Sequence, residues 1–539
     1  MRKFIKTFAS VLLFCSLAVG VSLGQEALQK VRINTFEGGM NTYNLEDMLK
    51  PNQGASMVNV VINRLGKISK RKGQDSFCED VGSTAFTGIG RFDPDANTSY
   101  LVVASGTTTM RALSSDTTWT KANIASPVTA GKDTEYIQAN DLLFALNGYD
   151  PTGWYNGASW ETAGAYPTSP PTASTGAWLD NYLFLAGATN ENDWLYFSNN
   201  LEPDLFDATD VLKINTGDGQ KIQHLEPYRE HELIVYKERS IFLLDISGDT
   251  VPDDWTVKPI STVVGTIAPR SVVSLGNDQW FLSGEPFAVR SLIRTEFDKI
   301  LLNMLSQPIQ DVFDGSGRLT INRTYISKAA AVLFDNKYII AIPTGTSTVN
   351  NTVFVYDFLT GGWYRIDGWY PVDWVVFDNR LFYIDANDGS VIECFTGTIG
   401  DYGLGPFTLN TTSDPQQGAI FDYISKTVDF DQPELFKQLD SIEVELDPTG
   451  NYDAIVYTNL DGDGWASAGS VNLAGNSLTL DFDLPTNLGN AGLARKTFQF
   501  GYDDEFKKMQ VRVKNEASMQ NVTLQRITIF SDPKTWRRE

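Results

Sequence analysis

The residues that could bind a metal ion are concentrated in one short segment of the chain. Asn459, Asp461 and Asp463 are followed by Gly464, which places oxygen ligands at positions 1, 3 and 5 and glycine at position 6 of a calcium-binding loop. Position 12, where such a loop has a bidentate glutamate, holds no acidic residue. Strand-like sequence on both sides favours a hairpin turn. The segment is therefore a weak calcium candidate, and a bare turn is the preferred interpretation.

No other group of residues has the spacing of a catalytic or cofactor-binding motif. The 539 residues include only 2 His and 3 Cys, too few for a zinc ribbon or a multi-histidine centre. His224 and His231 stand in no metalloprotease arrangement, and the chain has neither a nucleophile elbow nor a Walker loop. Carboxylates are abundant, but a glycosidase pair requires a separation that sequence cannot supply. We therefore predict no enzyme activity, no catalytic residues and no cofactor.

The charge balance narrows the possible partners. Lys and Arg number 43 and Asp and Glu number 66, a formal net charge of −23. Duplex DNA readers rely on a basic face that neutralises phosphates, so this excess of acids argues against specific DNA binding. Hydrophobic residues at 42% and aromatic residues at 12% exclude global disorder. We expect a folded chain of about two or three domains.

The first 24 residues have the layout of a secretory signal peptide. A basic start, MRKFIK, precedes an apolar stretch from Phe8 to Val21, and the small residues Ser22 and Gly24 follow. The alternative is a hydrophobic leader that is retained or that results from a wrongly chosen start. No other segment is apolar enough to span a bilayer, so we predict a mature chain without a membrane span. Cys78 and Cys394 are predicted as buried free thiols, with a disulfide left open.

The body of the chain consists of repeated strand-like units. Apolar cores recur with starts 40 to 58 residues apart, at 100–104, 142–146, 182–186, 232–236, 279–283, 337–341 and 380–384. Polar turn pairs precede several of them, and a second strand with an aromatic residue often follows. This period, with several short strands per unit, is typical of a β-propeller. We predict an all-β protein with a propeller of six to eight blades over residues 81–405.

Three further segments complete the predicted organisation. Residues 25–80 form an N-terminal arm whose basic cluster, Lys67–Lys72, is either a solvated hairpin or a contact with an acidic neighbouring subunit. Helical periodicity over 291–313 predicts a helix inserted between blades. Gly- and Pro-containing sequence near residue 405 marks a boundary. Long alternating segments then predict a C-terminal β-sandwich over 406–539.

Three stretches, taken in order, resemble a family of tailed-phage virion proteins. The first is Phe36-Glu-Gly-Gly-Met-Asn41 with Asn59 and Gly66-Lys-Ile-Ser-Lys-Arg-Lys-Gly73. The second is Gly265-Thr-Ile-Ala-Pro-Arg-Ser-Val-Val273 followed by Trp280-Phe-Leu-Ser-Gly284. The third comprises Lys337 to Pro343, Val353 to Asp357 and Gly362-Trp-Tyr-Arg-Ile-Asp-Gly-Trp369. Together they are similar to the β-propeller tail nozzle (tail tubular protein B) and the packaged-DNA stabilisation, or hub, proteins of short-tailed bacteriophages.

The resemblance implies a structural role in the virion tail. Proteins of this family assemble as rings, commonly hexamers, below the portal and adaptor, and extend and close the channel through which DNA leaves. Genomic DNA would pass transiently, without specific binding, and an acidic wall would repel its phosphates. An export signal departs from this pattern, because phage tails assemble in the cytoplasm. The alternative is a secreted or periplasmic propeller that binds or cleaves glycans.

Overall fold

The computed structural model describes residues 28–77, 86–105, 108–113, 122–124, 128–248, 254–294, 299–387, 389–396, 400–401, 417–474, 493–501, 503–516 and 520–533. Within these residues the chain is almost entirely β-structure. One short α-helix, α1 (Gln310–Asp314), and the 3₁₀ turns Pro269–Ser271, Gln307–Ile309 and Ile326–Lys328 are its helical elements in this part of the chain. No helix of the described residues is long and apolar enough to cross a bilayer.

The strands are numbered in chain order. The first half contains β1 (Gln29–Ile33), β2 (Gly39–Met40), β3 (Gln53–Val58), β4 (Val60–Ile62), β5 (Ile68–Lys70), β6 (Gln74–Ser76), β7 (Phe86–Asp95), β8 (Thr98–Ser105), β9 (Thr108–Leu113), β10 (Ala122–Ile124), β11 (Glu135–Ala139), β12 (Leu142–Leu146), β13 (Gly153–Tyr155), β14 (Trp160–Thr162), β15 (Thr175–Leu179), β16 (Tyr182–Ala186), β17 (Trp194–Phe197), β18 (Val211–Lys213), β19 (Ile222–Arg229), β20 (Glu232–Lys237), β21 (Ile241–Asp245) and β22 (Thr256–Ser261). The second half contains β23 (Val273–Ser274), β24 (Gln279–Ser283), β25 (Ala288–Arg294), β26 (Ile300–Met304), β27 (Ala330–Phe334), β28 (Lys337–Ile342), β29 (Thr352–Asp357), β30 (Gly362–Asp367), β31 (Pro371–Phe377), β32 (Arg380–Asp385), β33 (Val391–Cys394), β34 (Gly400–Asp401), β35 (Gln417–Gly418), β36 (Phe421–Ser425), β37 (Lys437–Leu446), β38 (Asp453–Leu460), β39 (Ala466–Asn472), β40 (Ala494–Gln499), β41 (Glu505–Phe506), β42 (Met509–Asn515) and β43 (Thr523–Pro533).

Most of these strands form a β-propeller. Five four-stranded antiparallel sheets are each built from four consecutive strands, running from β7–β10 to β23–β26. Strands β27–β30 form another antiparallel run, and β31–β33 are completed by β6 from the N-terminal region. The first strand of each group packs on the first strand of the next, in the order β7, β11, β15, β19, β23, β27, β31 and back to β7. First strands that follow one another around a closed circle define a propeller axis.

The apolar repeats of the sequence are the second strands of these groups. Each of the seven predicted cores coincides with β8, β12, β16, β20, β24, β28 or β32. A second strand is covered on both faces by neighbouring sheets, so it appears in the sequence as an unbroken apolar run. The polar pairs before it form tight turns, in which Asn140, Asp180, Asp335 and Asp378 adopt positive φ. Short Asn and Asp side chains tolerate this left-handed conformation better than most residues.

The N-terminal strands are divided among three sheets. Strand β3 pairs with β30 and β36, and β6 pairs with β33. Strands β1 and β5 both pair with β43 at the end of the described chain. The N-terminal region therefore connects the propeller to the C-terminal strands through backbone hydrogen bonds.

From β36 onward, the described C-terminal strands lie in two sheets. One is the continuation of β27–β30 through β3 into β36, β42, β38 and β39, and the other has the order β4-β5-β43-β37-β40. Buried side chains from both sheets, such as Val444 of β37 and Val513 of β42, belong to one hydrophobic core. That core also contains Ile340 and Val355 of the propeller, so it extends across the boundary between the two regions.

The predicted helix over 291–313 is wrong. Residues Ala288–Arg294 and Ile300–Met304 are paired antiparallel strands, with Ile293 opposite Leu301. Among the described residues from 288 to 314, only Gln310–Asp314 form an α-helix. The apolar spacing imitated a helix because the hairpin carries apolar side chains on both faces, including the exposed Leu301 and Met304. Pairing with β24 supplies hydrogen bonds that local periodicity does not reveal.

Several predicted features lie outside the described residues. They are the leader 1–24, Cys78 and the boundary near 405.

Candidate functional site

The basic cluster predicted at Lys67–Lys72 is divided between core and surface. Arg71 is fully buried and Lys70 is 4% exposed, whereas Lys72 is exposed. The Lys70 ammonium donates to Asn515 Oδ1 at 3.1 Å. The prediction of a solvated hairpin is thus wrong for Lys70 and Arg71, and neither side chain lies on a surface that could contact a neighbouring subunit.

Arg71 links the N-terminal strands to the propeller. Its Nε donates to Asn59 Oδ1 at 2.9 Å, and its guanidinium lies 4.8 Å from the centre of the Trp369 ring. Asn59, at φ 54°, donates its backbone N–H to the Arg365 carbonyl at 2.7 Å. The same Asn59 Oδ1 also accepts the Asp367 N–H at 3.1 Å. One buried amide and one buried cation therefore connect β3, β5 and β30.

The glycine-rich segment Phe36–Asn41 packs on the same strand of the propeller. Gly39 has φ 66°, and a Cβ at this position would lie only 2.5 Å from the Trp363 backbone nitrogen. The Trp363 indole donates to the Leu305 carbonyl at 3.0 Å. Only glycine allows the two backbones to approach this closely. The first and third stretches of the family resemblance, distant in sequence, are thus in direct contact.

Arg270, in the second stretch, extends across the propeller axis. It belongs to the 3₁₀ turn before β23, whose neighbours in the circle are β19 and β27. Its guanidinium nevertheless donates to the backbone carbonyl of Thr87 in β7 and, at 3.4 Å, to that of Thr134 before β11. Its Nε lies 3.4 Å from Asp373 Oδ2 in β31. One side chain therefore joins groups on opposite sides of the circle and closes the axis at this end.

A second polar group lies at the same end of the inner strands. His224 of β19 lies between two carboxylates, with Nε2 3.2 Å from Glu226 Oε2 and Nδ1 3.7 Å from Glu135 Oε1. The Thr175 hydroxyl of β15 is 3.4 Å from His224 Nδ1. Glu135 and Glu226 keep 26% and 24% of their side-chain exposure, so water reaches both carboxylates. This histidine joins three adjacent inner strands.

Burial changes the pKa values of Glu135, Asp373 and His224, the titratable groups near the propeller axis. It raises the pKa of Glu135 to about 7, although the nearby His224 opposes the rise. Burial also raises the pKa of Asp373, and the Arg270 charge offsets part of that rise. Burial lowers the pKa of His224, but its hydrogen bond to Glu226 and the charge of Glu135 outweigh this effect and raise it overall. Of these groups, Glu135 is the one expected to gain or lose its proton near neutral pH.

A cleft of about 620 Å³ lies between the propeller and the C-terminal strands. Its walls come from the loop after β2, the loop after α1, the hairpin between β38 and β39, and the start of β42. Side chains of contrasting chemistry line it, among them Tyr43, Asp311, Arg318, Trp465 and Lys508. A cavity of this size at the junction of two structural units can hold a small molecule.

The weak calcium candidates form a hairpin turn. Asp461 Oδ1 accepts the backbone N–H groups of Lys507 and Lys508, both at 2.9 Å. Asn459 Oδ1 accepts the Gly464 N–H at 3.2 Å. Two of the three proposed ligands thus accept hydrogen bonds from backbone N–H groups. Within the described residues, no group of three or more His, Cys, Asp or Glu side chains could hold a metal ion.

The remaining candidates from the sequence are dispersed. His231, half exposed in the turn between β19 and β20, pairs through Nδ1 with the Asp180 carboxylate in the turn between β15 and β16. Cys394 is buried, with 4% of its surface exposed. Sequence reasoning did not single out Glu135, Arg270 or Asp373 as interacting residues, and the resemblance to a family motif was the only signal that included Arg270.

The comparisons with known proteins identify no family for this chain. No protein family model and no curated protein matches the chain. Among solved structures, the WD40 domain of Neurospora crassa Pan2 is similar over 61% of this chain and 96% of its own, with 9% identity and a TM-score of 0.39. BamB from Moraxella catarrhalis matches 69% of this chain and 98% of its own, with 13% identity and a TM-score of 0.38. Such low scores carry no argument about function, and the chain is defined by its structure as an all-β protein containing a β-propeller.

Proposed function

We propose that this chain is a structural protein of a phage tail, a nozzle or hub that assembles as a ring and extends and closes the DNA-exit channel. The observation that carries this proposal is the contact among the segments that resemble the phage family. Gly39 packs on Trp363, and Arg71 binds Asn59 and stacks on Trp369. Residues selected by resemblance alone thus form one buried junction, which gives their order and spacing a physical reason.

The axial contacts restrict where DNA could pass. The Arg270 guanidinium binds groups on β7 and β31, so the axis of a single propeller is closed at this end. In this proposal the conduit is therefore the space between subunits of a ring, commonly six in the family. The net charge of −23 suits the wall of such a conduit, since acidic side chains repel phosphates and leave the duplex free to slide.

The finer architecture is part of the proposal. Seven first strands follow one another around the circle, which supports a propeller of seven blades, within the predicted range of six to eight. Val444 and Val513, from two different sheets, share one core, which supports a C-terminal β-sandwich. The ring would contact the portal or adaptor and other tail proteins, and its location would be the virion tail.

Cryo-electron microscopy of virions, with mass spectrometry of the same particles, tests the role. We expect peptides of this chain in the particles and a ring of its copies on the tail axis, with a lumen wide enough for duplex DNA. Density for the chain away from the tail axis would contradict the proposal. A purified chain that begins at Gln25 and is recovered outside particles would favour the secreted, glycan-binding alternative.

A further inference from the structure

We propose that the cleft between the propeller and the C-terminal strands binds an anionic saccharide, a sugar bearing a carboxylate or phosphate group. This inference concerns a different surface from the axial groups and does not depend on the tail role. It rests on the cations, the aromatic side chains and the fixed polar groups of the cleft.

The cations of the cleft provide the first argument. Arg318 and Lys508 are both exposed, and neither forms an ion pair with another residue that the structure describes. Arg365, also in the lining, is neutralised by Asp367, with Nε 2.9 Å from Oδ1. In a chain with a net charge of −23, two exposed cations without ion-pair partners among the described residues of one cleft lining favour a ligand with negative charge.

The aromatic side chains provide the second argument. Tyr43 is 47% exposed at the cleft, and Trp465 is partly exposed on the opposing hairpin. Trp465 is held in place by Arg512, 5.7 Å from its ring centre, which itself forms two hydrogen bonds with Asp422. A sugar ring has C–H faces that pack on such aromatic surfaces and hydroxyls that need polar partners.

The polar groups of the walls are already oriented. Thr42 Oγ1 donates to Asp311 Oδ1 at 2.5 Å, and the backbone N–H groups of Thr42 and Tyr43 both donate to the Pro308 carbonyl. A Cβ on Gly317 would lie 2.3 Å from Asp311 Oδ2, so this glycine leaves room for the carboxylate. The Asp311 side chain and the Tyr43 loop are therefore fixed before a ligand arrives, which reduces the entropy lost on binding.

Calorimetric titration of the full chain tests the proposal. The probes are trigalacturonic acid, glucose 6-phosphate, neutral maltotriose and a short oligothymidylate. We expect saturable binding of trigalacturonic acid, glucose 6-phosphate or both, and much weaker binding of maltotriose. The two charged probes distinguish a carboxylate from a phosphate as the anionic group. Binding of the oligothymidylate with no binding of either charged sugar would overturn the proposal, as would no binding of any probe.

Substitutions in the cleft then locate the site. We expect R318Q and K508Q each to weaken binding about tenfold or more, because each removes a charged hydrogen-bond donor. Y43A should also weaken binding through loss of ring contact. The matched controls R323Q and K258Q remove exposed cations outside the cleft and should leave affinity unchanged. All these side chains are exposed, so melting temperatures should match the wild type; wild-type affinity in both R318Q and K508Q would overturn the assignment.

Discussion

Removal of the Arg270 guanidinium should destabilise the propeller. R270Q breaks the ion pair with Asp373 and withdraws hydrogen bonds from the Thr87 and Thr134 carbonyls. Loss of one partner of a buried ion pair costs about 3–5 kcal/mol, because the other charge is left unpaired. The Arg270 and Asp373 side chains keep 16% and 18% of their exposure, so solvent screens part of the loss. We therefore expect a decrease of about 3 kcal/mol in the free energy of unfolding at pH 8.

The deficit of R270Q should depend on pH in a definite direction. Burial already raises the Asp373 pKa in the folded protein, and the Arg270 charge limits that rise. Without the arginine the folded-state pKa should rise further, so the folded protein binds a proton more tightly than the unfolded chain. Stability of this kind is present at low pH and is lost as pH rises through the folded-state pKa. The variant should therefore be closer to the wild type at pH 5 than at pH 8.

A double-mutant cycle measures the interaction directly. Urea unfolding of the wild type, R270Q, D373N and the double variant, followed by tryptophan fluorescence, should give a coupling energy of about 1–3 kcal/mol at pH 8. Asp133 provides the control, because it is 74% exposed and 3.7 Å from the same guanidinium. Its coupling to Arg270 should fall below about 1 kcal/mol. A coupling of zero between Arg270 and Asp373, or a deficit that grows at pH 5, would refute the axial closure.

Three other results are expected. The wild-type melting temperature should fall from about pH 5 to about pH 7, because the pKa of Glu135 is raised from 4.5 to about 7 in the folded state, and the raised pKa of His224 extends the fall to higher pH. E135Q should flatten the fall below pH 7; an equally steep fall there in E135Q would contradict the assignment. D461A should lower the free energy of unfolding by about 1 kcal/mol, because it removes the acceptor of two backbone hydrogen bonds. Added calcium should leave the wild-type melting temperature unchanged, and a calcium-dependent rise would restore the metal hypothesis. R71K should lower the free energy of unfolding, measured in urea, by about 2 kcal/mol, because lysine cannot stack its charge flat on the Trp369 ring. K72Q, at an exposed position, should leave this free energy almost unchanged, and equal losses in the two variants would argue against the junction.

The repeated strands of the propeller could be predicted from the sequence because each strand and the turn before it produce a local pattern of apolar and polar residues. Burial on both faces makes strands such as Tyr182–Ala186 and Lys337–Ile342 continuous apolar runs, and the turns before them need residues that accept positive φ. The same local signal failed at 291–313, where a two-sided hairpin imitated helical spacing. The sequence did not predict which distant strands pair with each other. For example, β6 pairs with β33, which lies more than 300 residues further along the chain.

The candidate sites depend on contacts between residues distant in the chain. Composition and the spacing of the apolar repeats were enough to indicate an acidic β-protein, and the family resemblance singled out the segment that contains Arg270. Only the tertiary structure placed Arg270 against Asp373, Glu135 beside His224, and Arg318 in the same cleft as Lys508. Local sequence patterns record which face of a strand is buried, because neighbouring residues share that environment. They carry no record of which distant side chain lies opposite, because the closed circle of strands determines that pairing.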